Sequence, residues 1–145
     1  MTKGYLAALQ EARAGLEQGG IPIGAALEQQ GQVIGRGHNL RVQEGDPTAH
    51  AEISCLRNAG RLRSYSDTVL YTTLAPCSLC AGAILLFGIP RVVIGETHTF
   101  NGEGSLALLR AKGVETENLD DQEARRMLAS FVKDNQAIWN EDIGR

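Results

Sequence analysis

The sequence predicts an α/β protein, namely a three-layer α/β/α sandwich around a mixed five-stranded sheet. Three observations lead to this prediction. Segments with apolar residues at helical spacing alternate with β-branched runs along the later part of the chain, so that helices connect successive strands and permit parallel crossovers. Two early extended runs flank a turn and predict an antiparallel hairpin. No repeat, low-complexity tract or linker divides the 145 residues, which predicts a single domain over 1–145.

The first half of the chain predicts a helix, a hairpin, a polar loop and a second helix. Their ranges, in order, are Tyr5–Leu16, Gly24–Glu28 with Gln32–Gly37, Arg41–Thr48 and His50–Ala59. The apolar stripe of the first helix consists of Tyr5, Leu6, Leu9, Ala12 and Leu16. Gly19 and Gly20 end that helix. In the second helix, we expect Ile53 and Leu56 to face the core.

The second half predicts strands that alternate with helices. The ranges, in order, are Asp67–Thr73 (strand), Pro76–Phe87 (helix), Arg91–Gly95 (strand), Ser105–Lys112 (helix), Val114–Asn118 (strand) and a closing helix that contains Ala124–Phe131. Pro76 suits the first turn of a helix, because the N–H that proline lacks has no intrahelical partner there. Ala124, Met127, Leu128 and Phe131 recur at helical spacing and predict the closing helix.

Charge and composition exclude several function classes. No run of about 18 apolar residues exists, which excludes a membrane span. The amphipathic N-terminal residues do not form a signal peptide, so we expect a cytoplasmic protein. The formal net charge is −3 and the basic residues are dispersed, which argues against a nucleic-acid partner. The three cysteines, Cys55, Cys77 and Cys80, are an odd number without a secretion signal, and they favour metal or redox chemistry over disulfides.

Two short motifs predict a catalytic zinc site, and they are His50-Ala51-Glu52 and Pro76-Cys77-Ser78-Leu79-Cys80. One imidazole and two thiolates are preferred zinc ligands and leave a fourth position for water. Cys77 and Cys80 share a helical face. His50 and Glu52 lie about 200° apart around a helix and converge only beyond its start. We therefore expect one Zn²⁺ per chain between two helix N-termini, with Glu52 as the catalytic residue that moves protons.

Each motif alone also has a simpler interpretation. A Cys-x-x-Cys pair occurs in structural zinc sites and in redox pairs, and a His-x-Glu pair often arises by chance. A closed structural site would need a fourth protein ligand, for which Cys55, His38 and His98 are available. Cys55 lies on the interior stretch of the second predicted helix and is interpreted as a small buried apolar residue. The two motifs together, in this order and each at a helix start, favour catalysis.

His-x-Glu followed by Pro-Cys-x-x-Cys is the signature of the zinc deaminases. Beyond this signature, the chain from Tyr5 to Gly144 resembles the fungal-type cytosine deaminases of the cytidine deaminase-like superfamily. The resemblance lies in GGIPIGAAL (19–27), GRGHN (35–39), HAEIS (50–54), LYTTLAPCSLCAGAI (70–84) and WNEDIG (139–144). It implies a homodimeric hydrolase of the C–N bonds of cyclic amidines, which converts cytosine to uracil and ammonia in pyrimidine salvage.

The resemblance also implies which residues bind the small-molecule base. The polar partners are Asn39, the N–H of Ala51, the backbone of Leu74 and Ala75, and Asp142. The side chains expected to pack on the base are Ile23, Phe100 and Trp139. Of these residues, Asn39 would bind the amide edge of the ring and Asp142 would bind the amino group.

Three departures from the family pattern leave the preferred base open. Asn140 replaces an aromatic residue, Ala75 replaces serine, and Ala51 replaces glycine. Because the segment around Asn140 would cover the pocket, other amino-heterocycles are candidates, namely isocytosine, a methylated cytosine, creatinine, guanine and adenine. The further alternatives are a tRNA adenosine deaminase, against which the weak basicity argues, and a non-catalytic zinc module, against which Glu52 argues.

Overall fold

The computed structural model describes all 145 residues, and its five strands form one sheet. The strands are β1 (Gly24–Gln29), β2 (Gln32–His38), β3 (Thr68–Leu74), β4 (Arg91–Glu96) and β5 (Glu115–Asn118). They lie in the order β2-β1-β3-β4-β5. β1 is antiparallel to both of its neighbours, whereas β3, β4 and β5 are parallel. The predicted mixed sheet is confirmed.

Seven helices accompany the sheet. They are α1 (Lys3–Glu17), α2 (Arg41–Glu44), α3 (Ala51–Ala59), α4 (Ser78–Phe87), α5 (Ser105–Ala111), α6 (Gln122–Asp134) and α7 (Gln136–Asp142). The sequence does not predict α2 or α7. The first is a single turn without a buried residue, and the second buries only Trp139, so neither shows an apolar repeat. None of the helices combines the length and the apolarity that a bilayer crossing requires.

The strand side chains alternate between two clusters of buried residues on opposite faces of the sheet. Those in the larger cluster are Ala25, Leu27, Leu70, Leu74, Val92 and Ile94, and those in the smaller one are Ala26, Tyr71 and Val93. The larger cluster also contains Cys55 of α3, Ile84 of α4 and Leu109 of α5. The smaller one contains Tyr5 of α1 and Ala124 of α6. Helices therefore cover both faces of the sheet, as the three-layer prediction requires.

Two glycines of β2 allow α3 to lie directly against the sheet. A Cβ added to Gly37 would lie 2.6 Å from the backbone nitrogen of Cys55, and one added to Gly35 would lie 2.5 Å from the Cβ of Ala59. Both separations are shorter than real Cβ contacts. The absence of side chains at these two positions therefore fixes the Cys55 face of α3 toward the sheet and sets the position of the helix N-terminus.

This contact corrects the predicted inward face of α3. Cys55 is fully buried, whereas Ile53 and Leu56 are only half-buried and line an apolar groove between α3 and α4. Periodicity alone identifies an apolar face but does not say which face the close backbone contact turns toward the sheet. The prediction that this face points to the core is confirmed for Leu56, which packs against the larger cluster while half-buried, and is wrong for Ile53.

The predicted stripe of α1 is also wider than the face that the helix buries. Leu6 and Leu16 are 43% and 40% exposed, whereas Leu9 is buried. A Cβ on Gly24 would lie 2.0 Å from the carbonyl oxygen of Ala8, so that α1 and β1 approach through their backbones. This close approach buries the small residues of α1 and leaves the two flanking leucines at the edge.

Candidate active site

Three metal-ligating atoms meet between the N-termini of α3 and α4. His50 and Cys77 immediately precede these helices with extended backbones (ψ 160° and 179°), and Cys80 lies in the first turn of α4. The Nδ1 atom of His50 lies 3.4 Å from Sγ of Cys77 and 3.8 Å from Sγ of Cys80. All three ligand atoms lie within 4.8 Å of one another. The two motifs therefore converge on one point, as predicted.

The donor set fits a tetrahedral zinc ion. With a Zn–S bond of about 2.3 Å and a Zn–N bond of about 2.0 Å, a nitrogen and a sulfur ligand of such an ion lie about 3.5 Å apart. The two measured N–S separations, 3.4 and 3.8 Å, bracket this value. His50, Cys77 and Cys80 are thus positioned to bind one metal ion.

The remaining cysteine and histidines lie outside this group. Cys55 is fully buried in the larger core cluster, as interpreted from the sequence. His38 is hydrogen-bonded at 2.9 Å to two side chains of the α1 segment, and His98 contacts Asp120 at 3.2 Å. No fourth side chain closes the metal site, and this leaves a coordination position for water, which is typical of catalytic zinc.

Glu52 lies in the first turn of α3 and lines the same cavity as His50 and Cys77. Its side chain is buried, with 5% of the residue exposed. Burial raises the pKa of Glu52 to about 7, because surroundings of low dielectric constant disfavour the charged form. A carboxyl group with such a pKa both accepts and donates a proton at neutral pH.

A small cavity of about 20 Å³ adjoins the metal ligands. Besides His50, Glu52 and Cys77, its lining consists of Ile23, Asn39, Ala51, Leu74, Ala75, Phe100, Asp142 and Ile143. All of the predicted pocket residues except Trp139 therefore lie together. Trp139 is 3% exposed and belongs to the larger core cluster, because α7 buries it while the end of that helix reaches the cavity. Ile143 was not predicted, although its place beside Asp142 in WNEDIG was available as a signal.

Asn39 and Asp142 form the polar wall of the cavity. The Nδ2 amide of Asn39 donates to Oδ1 of Asp142 at 2.8 Å, and its Oδ1 accepts the backbone N–H of Arg41 at 3.0 Å. The same Asp142 oxygen lies 3.9 Å from Nε2 of His50 and 4.0 Å from the Arg41 guanidinium. Burial raises the pKa of Asp142. Arg41 was missed because it lies in the segment predicted as a loop.

Residues 2–96 match the model of a family described as the cytidine and deoxycytidylate deaminase zinc-binding region. This segment contains the three metal ligands and Glu52. The chain belongs to this zinc deaminase family. It is therefore a hydrolase that acts on C–N bonds, and its cofactor is zinc.

Individual relatives of this zinc deaminase differ in how much of the chain they match. The chain is 47% identical to the cytosine deaminase of Candida albicans, over 98% of this chain and 95% of that protein. It is 46% identical to the tRNA-specific adenosine deaminase of Buchnera aphidicola, over 63% of this chain and 62% of that protein. A protein solved in complex with 2,6-diaminopurine is similar with a TM-score of 0.78 at 25% identity, over 91% of this chain and 81% of that one.

The ligand side chains of the deaminase interact strongly with one another. The hydrogen bond with Cys80, together with the interaction with His50, lowers the pKa of Cys77 to about 4, although burial acts to raise it. Burial acts to lower the pKa of His50, but the bond to Cys77 and the charge of Asp142 raise it to about 9. The hydrogen bond with Cys77 raises the pKa of Cys80. The cluster therefore favours a thiolate on Cys77, and the thiolate is the form that binds metal.

Two backbone groups of the deaminase are available at the cavity. Ala51 is the first residue of α3, so its N–H has no intrahelical acceptor, and no other group of the chain accepts it. The N–H of Ala75 donates to the carbonyl of Glu96 at 3.0 Å, whereas the carbonyl of Ala75 accepts no hydrogen bond. The carbonyl of Leu74, in contrast, accepts the hydroxyl of Thr72 at 3.1 Å. One donor and one acceptor thus lie beside the metal ligands.

Proposed function

We propose that the chain is a zinc-dependent cytosine deaminase, which hydrolyses cytosine to uracil and ammonia. The observation that carries the proposal is the 47% identity with the Candida albicans cytosine deaminase over 98% of the chain. A likeness of this extent includes the metal-binding segment and also the C-terminal helix with Asp142. The polar wall made by Asn39 and Asp142 beside the metal ligands agrees with a substrate that has both an amide edge and an amino group.

The cavity has a complementary group for each edge of cytosine. Asn39 supplies a donor and an acceptor for the amide edge, and the free N–H of Ala51 supplies a donor for the ring carbonyl. The carboxylate of Asp142 and the free carbonyl of Ala75 accept the hydrogens of the amino group. The side chains that we propose to pack on the ring are Ile23 and Phe100.

Glu52 moves the protons of the proposed reaction. When bound, zinc lowers the pKa of a coordinated water and so supplies a nucleophile near neutral pH. Glu52 accepts a proton from this water as the water oxygen adds to the amine-bearing ring carbon, and it delivers this proton to the adjacent ring nitrogen. It then carries the remaining proton of the water to the amino group, which leaves as ammonia while the ring carbonyl forms. The reaction consumes one water.

A tRNA adenosine deaminase is the main alternative with a polymer substrate. The similarity to the tRNA-specific relative from Buchnera aphidicola covers 63% of the chain, against 98% for the cytosine deaminase. Asp142 and Ile143 line the cavity, and the end of α7 in this position would obstruct a nucleic-acid strand. The net charge of −3 also gives little attraction to phosphates. We therefore propose a small-molecule substrate and no nucleic-acid partner.

A second candidate substrate is an amino-purine. The similar structure in complex with 2,6-diaminopurine favours it, as does Ala75, which is smaller than the serine of the fungal pattern and leaves more room at the amino group. Asn140 is less relevant to the choice of base than its place in the sequence implies. Its side chain accepts a hydrogen bond from Gln136 at 2.8 Å and does not line the cavity.

We further propose a homodimer that pairs through an apolar face of α4. Leu79, Leu86 and Phe87 on this helix are 43%, 79% and 42% exposed. Beside them, Ile53 and Leu56 of α3 line the apolar groove. A contiguous apolar patch of this kind is typical of an interaction site. The expectation that the family is dimeric supports a second copy of the chain as the partner that binds this face.

We also propose that residues 1–145 act as one deaminase domain in the cytoplasm, where it salvages free cytosine as uracil. The support for this location is chemical. All three cysteines are unpaired, and two of them are needed as thiolates for the metal. A reducing compartment keeps such thiols available.

Ammonia release from a panel of bases tests the substrate. The zinc-loaded protein is incubated with cytosine, 5-methylcytosine, isocytosine, creatinine, guanine and adenine, and with a tRNA substrate as the polymer control. We expect the highest kcat/KM for cytosine and no loss of activity between low and high salt. A higher kcat/KM for guanine or adenine would establish the amino-purine candidate, and turnover of tRNA that falls steeply with salt would contradict the proposal.

A further inference from the structure

Glu96 is a buried carboxyl group that the proposed mechanism does not use. It ends β4 and is 1% exposed. Val92 and Ile94 of the same strand belong to the larger cluster, so alternation places the Glu96 side chain on that face of the sheet, where the active site lies. Its Oε2 atom accepts the backbone N–H of His98 at 2.7 Å and that of Thr99 at 2.9 Å.

Glu96 thereby joins two segments that line the cavity. The two hydrogen bonds that its side chain accepts fix the backbone of 98–99, and the next residue, Phe100, lines the cavity. The backbone carbonyl of Glu96 accepts the N–H of Ala75, which lies just after β3 and also lines the cavity. Leu74, also a lining residue, is the register partner of Glu96 in the parallel pair of β3 and β4.

The second carboxyl oxygen of Glu96 argues for positioning rather than for core stability. Oε1 is buried and accepts no hydrogen bond from the rest of the chain. A buried polar atom without a partner is destabilising, and an apolar side chain of the same size would avoid this cost. What the carboxyl group provides in return is the pair of bonds that holds the segment before Phe100.

We propose that Glu96 is a positioning residue, which holds Phe100 against the bound base. The proposal rests on the proposed function, because it concerns the same cavity. Phe100 would contact the base equally in the ground state and in the transition state. Loss of its position should therefore raise KM while kcat changes little.

Two substitutions of similar size test this inference. Glu96→Met removes both acceptor oxygens, and we expect KM for the preferred base to rise about tenfold with kcat within about threefold of the wild type. Glu96→Gln keeps one acceptor oxygen and should restore KM to within about threefold of the wild type. Amide hydrogen exchange followed by NMR supplies a readout that is independent of activity. We expect the N–H groups of His98 and Thr99 to exchange faster in Glu96→Met and at the wild-type rate in Glu96→Gln.

Tyr5→Phe is the matched control for loss of a buried hydrogen bond. In the wild type, the hydroxyl of Tyr5 donates to Asp121 at 2.6 Å, and this residue lies in the smaller cluster on the opposite face of the sheet. This variant should melt at a lower temperature with an unchanged KM. If Glu96→Met behaves in the same way, with a lower melting temperature but wild-type KM and exchange rates, Glu96 is structural and the proposal is overturned.

A further variant keeps the test decisive if Glu96→Met does not fold. Glu96→Asp is one methylene shorter and should not reach both N–H groups, so a wild-type KM in this variant would also overturn the proposal. Failure of the wild-type protein to deaminate cytosine would contradict the proposed function alone. The exchange rates at His98 and Thr99 would still report on Glu96 in that case.

Discussion

Glu52 depends on its burial for the proton chemistry that we propose. A glutamic acid in water titrates near pH 4 and is almost fully ionised at neutral pH, which makes it a poor proton donor. Burial, with a further contribution from the charge of Cys77, raises the pKa of Glu52 to about 7. Both protonation states are then populated at neutral pH, as a residue that first accepts and then donates a proton requires.

Glu52→Gln should abolish this proton transfer without loss of the metal. We expect kcat to fall by about 100- to 10,000-fold, since a glutamine side chain does not accept and return a proton. Metal analysis should still give one zinc per chain, because Glu52 is not one of the three ligands. Glu17→Gln, the same substitution at an exposed position of α1, is the control and should retain full activity. Activity of Glu52→Gln above a tenth of the wild type would exclude Glu52 as the proton carrier.

At the scale of the elements, the contact between α3 and β2 places the catalytic residues. α3 begins at Ala51, directly after His50, and Glu52 lies in its first turn, so that any movement of this helix moves a metal ligand and the proton carrier together. The helix has no freedom to approach the strand differently, because Gly35 and Gly37 already bring the two backbones into contact. Gly35 and Gly37 therefore help to position His50 and Glu52, although the two glycines do not line the cavity.

Gly37→Ala should displace α3. The added Cβ would meet the backbone nitrogen of Cys55 at 2.6 Å, and backbone atoms do not yield as a flexible side chain does. We expect a loss of about 1–3 kcal/mol in the free energy of unfolding, together with a fall in kcat/KM. Chemical denaturation and steady-state kinetics measure the two effects. Gln32→Ala, at an exposed position of the same strand, should change neither, and a Gly37→Ala protein with wild-type values would contradict the role of this contact.

The sequence predicts some helices and site residues of this fold and misses others, and the reason lies in how the elements pack. The metal ligands were predictable from their two motifs, because these lie at helix starts whose geometry follows from local spacing. Most of the cavity lining was predictable only from the resemblance to the cytosine deaminases. The orientation of α3 was not predictable, since Ile53 and Leu56 have the expected spacing, yet the glycine contact buries the Cys55 face and leaves these two residues half-buried. α7 was missed because one buried residue, Trp139, gives no periodicity. The pKa of Glu52 depends on burial, which spacing does not report.

At the scale of the whole molecule, the active site and the proposed dimer face use the same two helices. α3 and α4 present the metal ligands at their N-termini, and the apolar residues of the proposed dimer face lie on the same two helices. The C-terminal helix completes the site, since Asp142 reaches Asn39 across 103 residues of sequence. The oligomeric state and the activity of the protein are therefore expected to depend on each other.

Leu86→Glu should separate the proposed dimer. Leu86 is 79% exposed, so a glutamate at this position is well solvated in a monomer but would be buried without a partner in a dimer interface. We expect size-exclusion chromatography with light scattering to give about twice the chain mass for the wild type and the chain mass for Leu86→Glu. Leu6→Glu, on α1, is the matched control and should stay dimeric. A monomeric wild type would refute the dimer proposal.

The residues that begin α3 and α4 have a consequence for the folding of the chain. His50 and Cys77 occupy the capping positions of these helices, and neither side chain forms a capping hydrogen bond. A conventional cap would add about 1 kcal/mol to each helix start. Zinc bound by both residues would instead tie the two helix starts to each other, so that metal uptake and folding are thermodynamically linked. The concentration of free zinc should therefore determine how much of the chain is folded as well as how much of it is active.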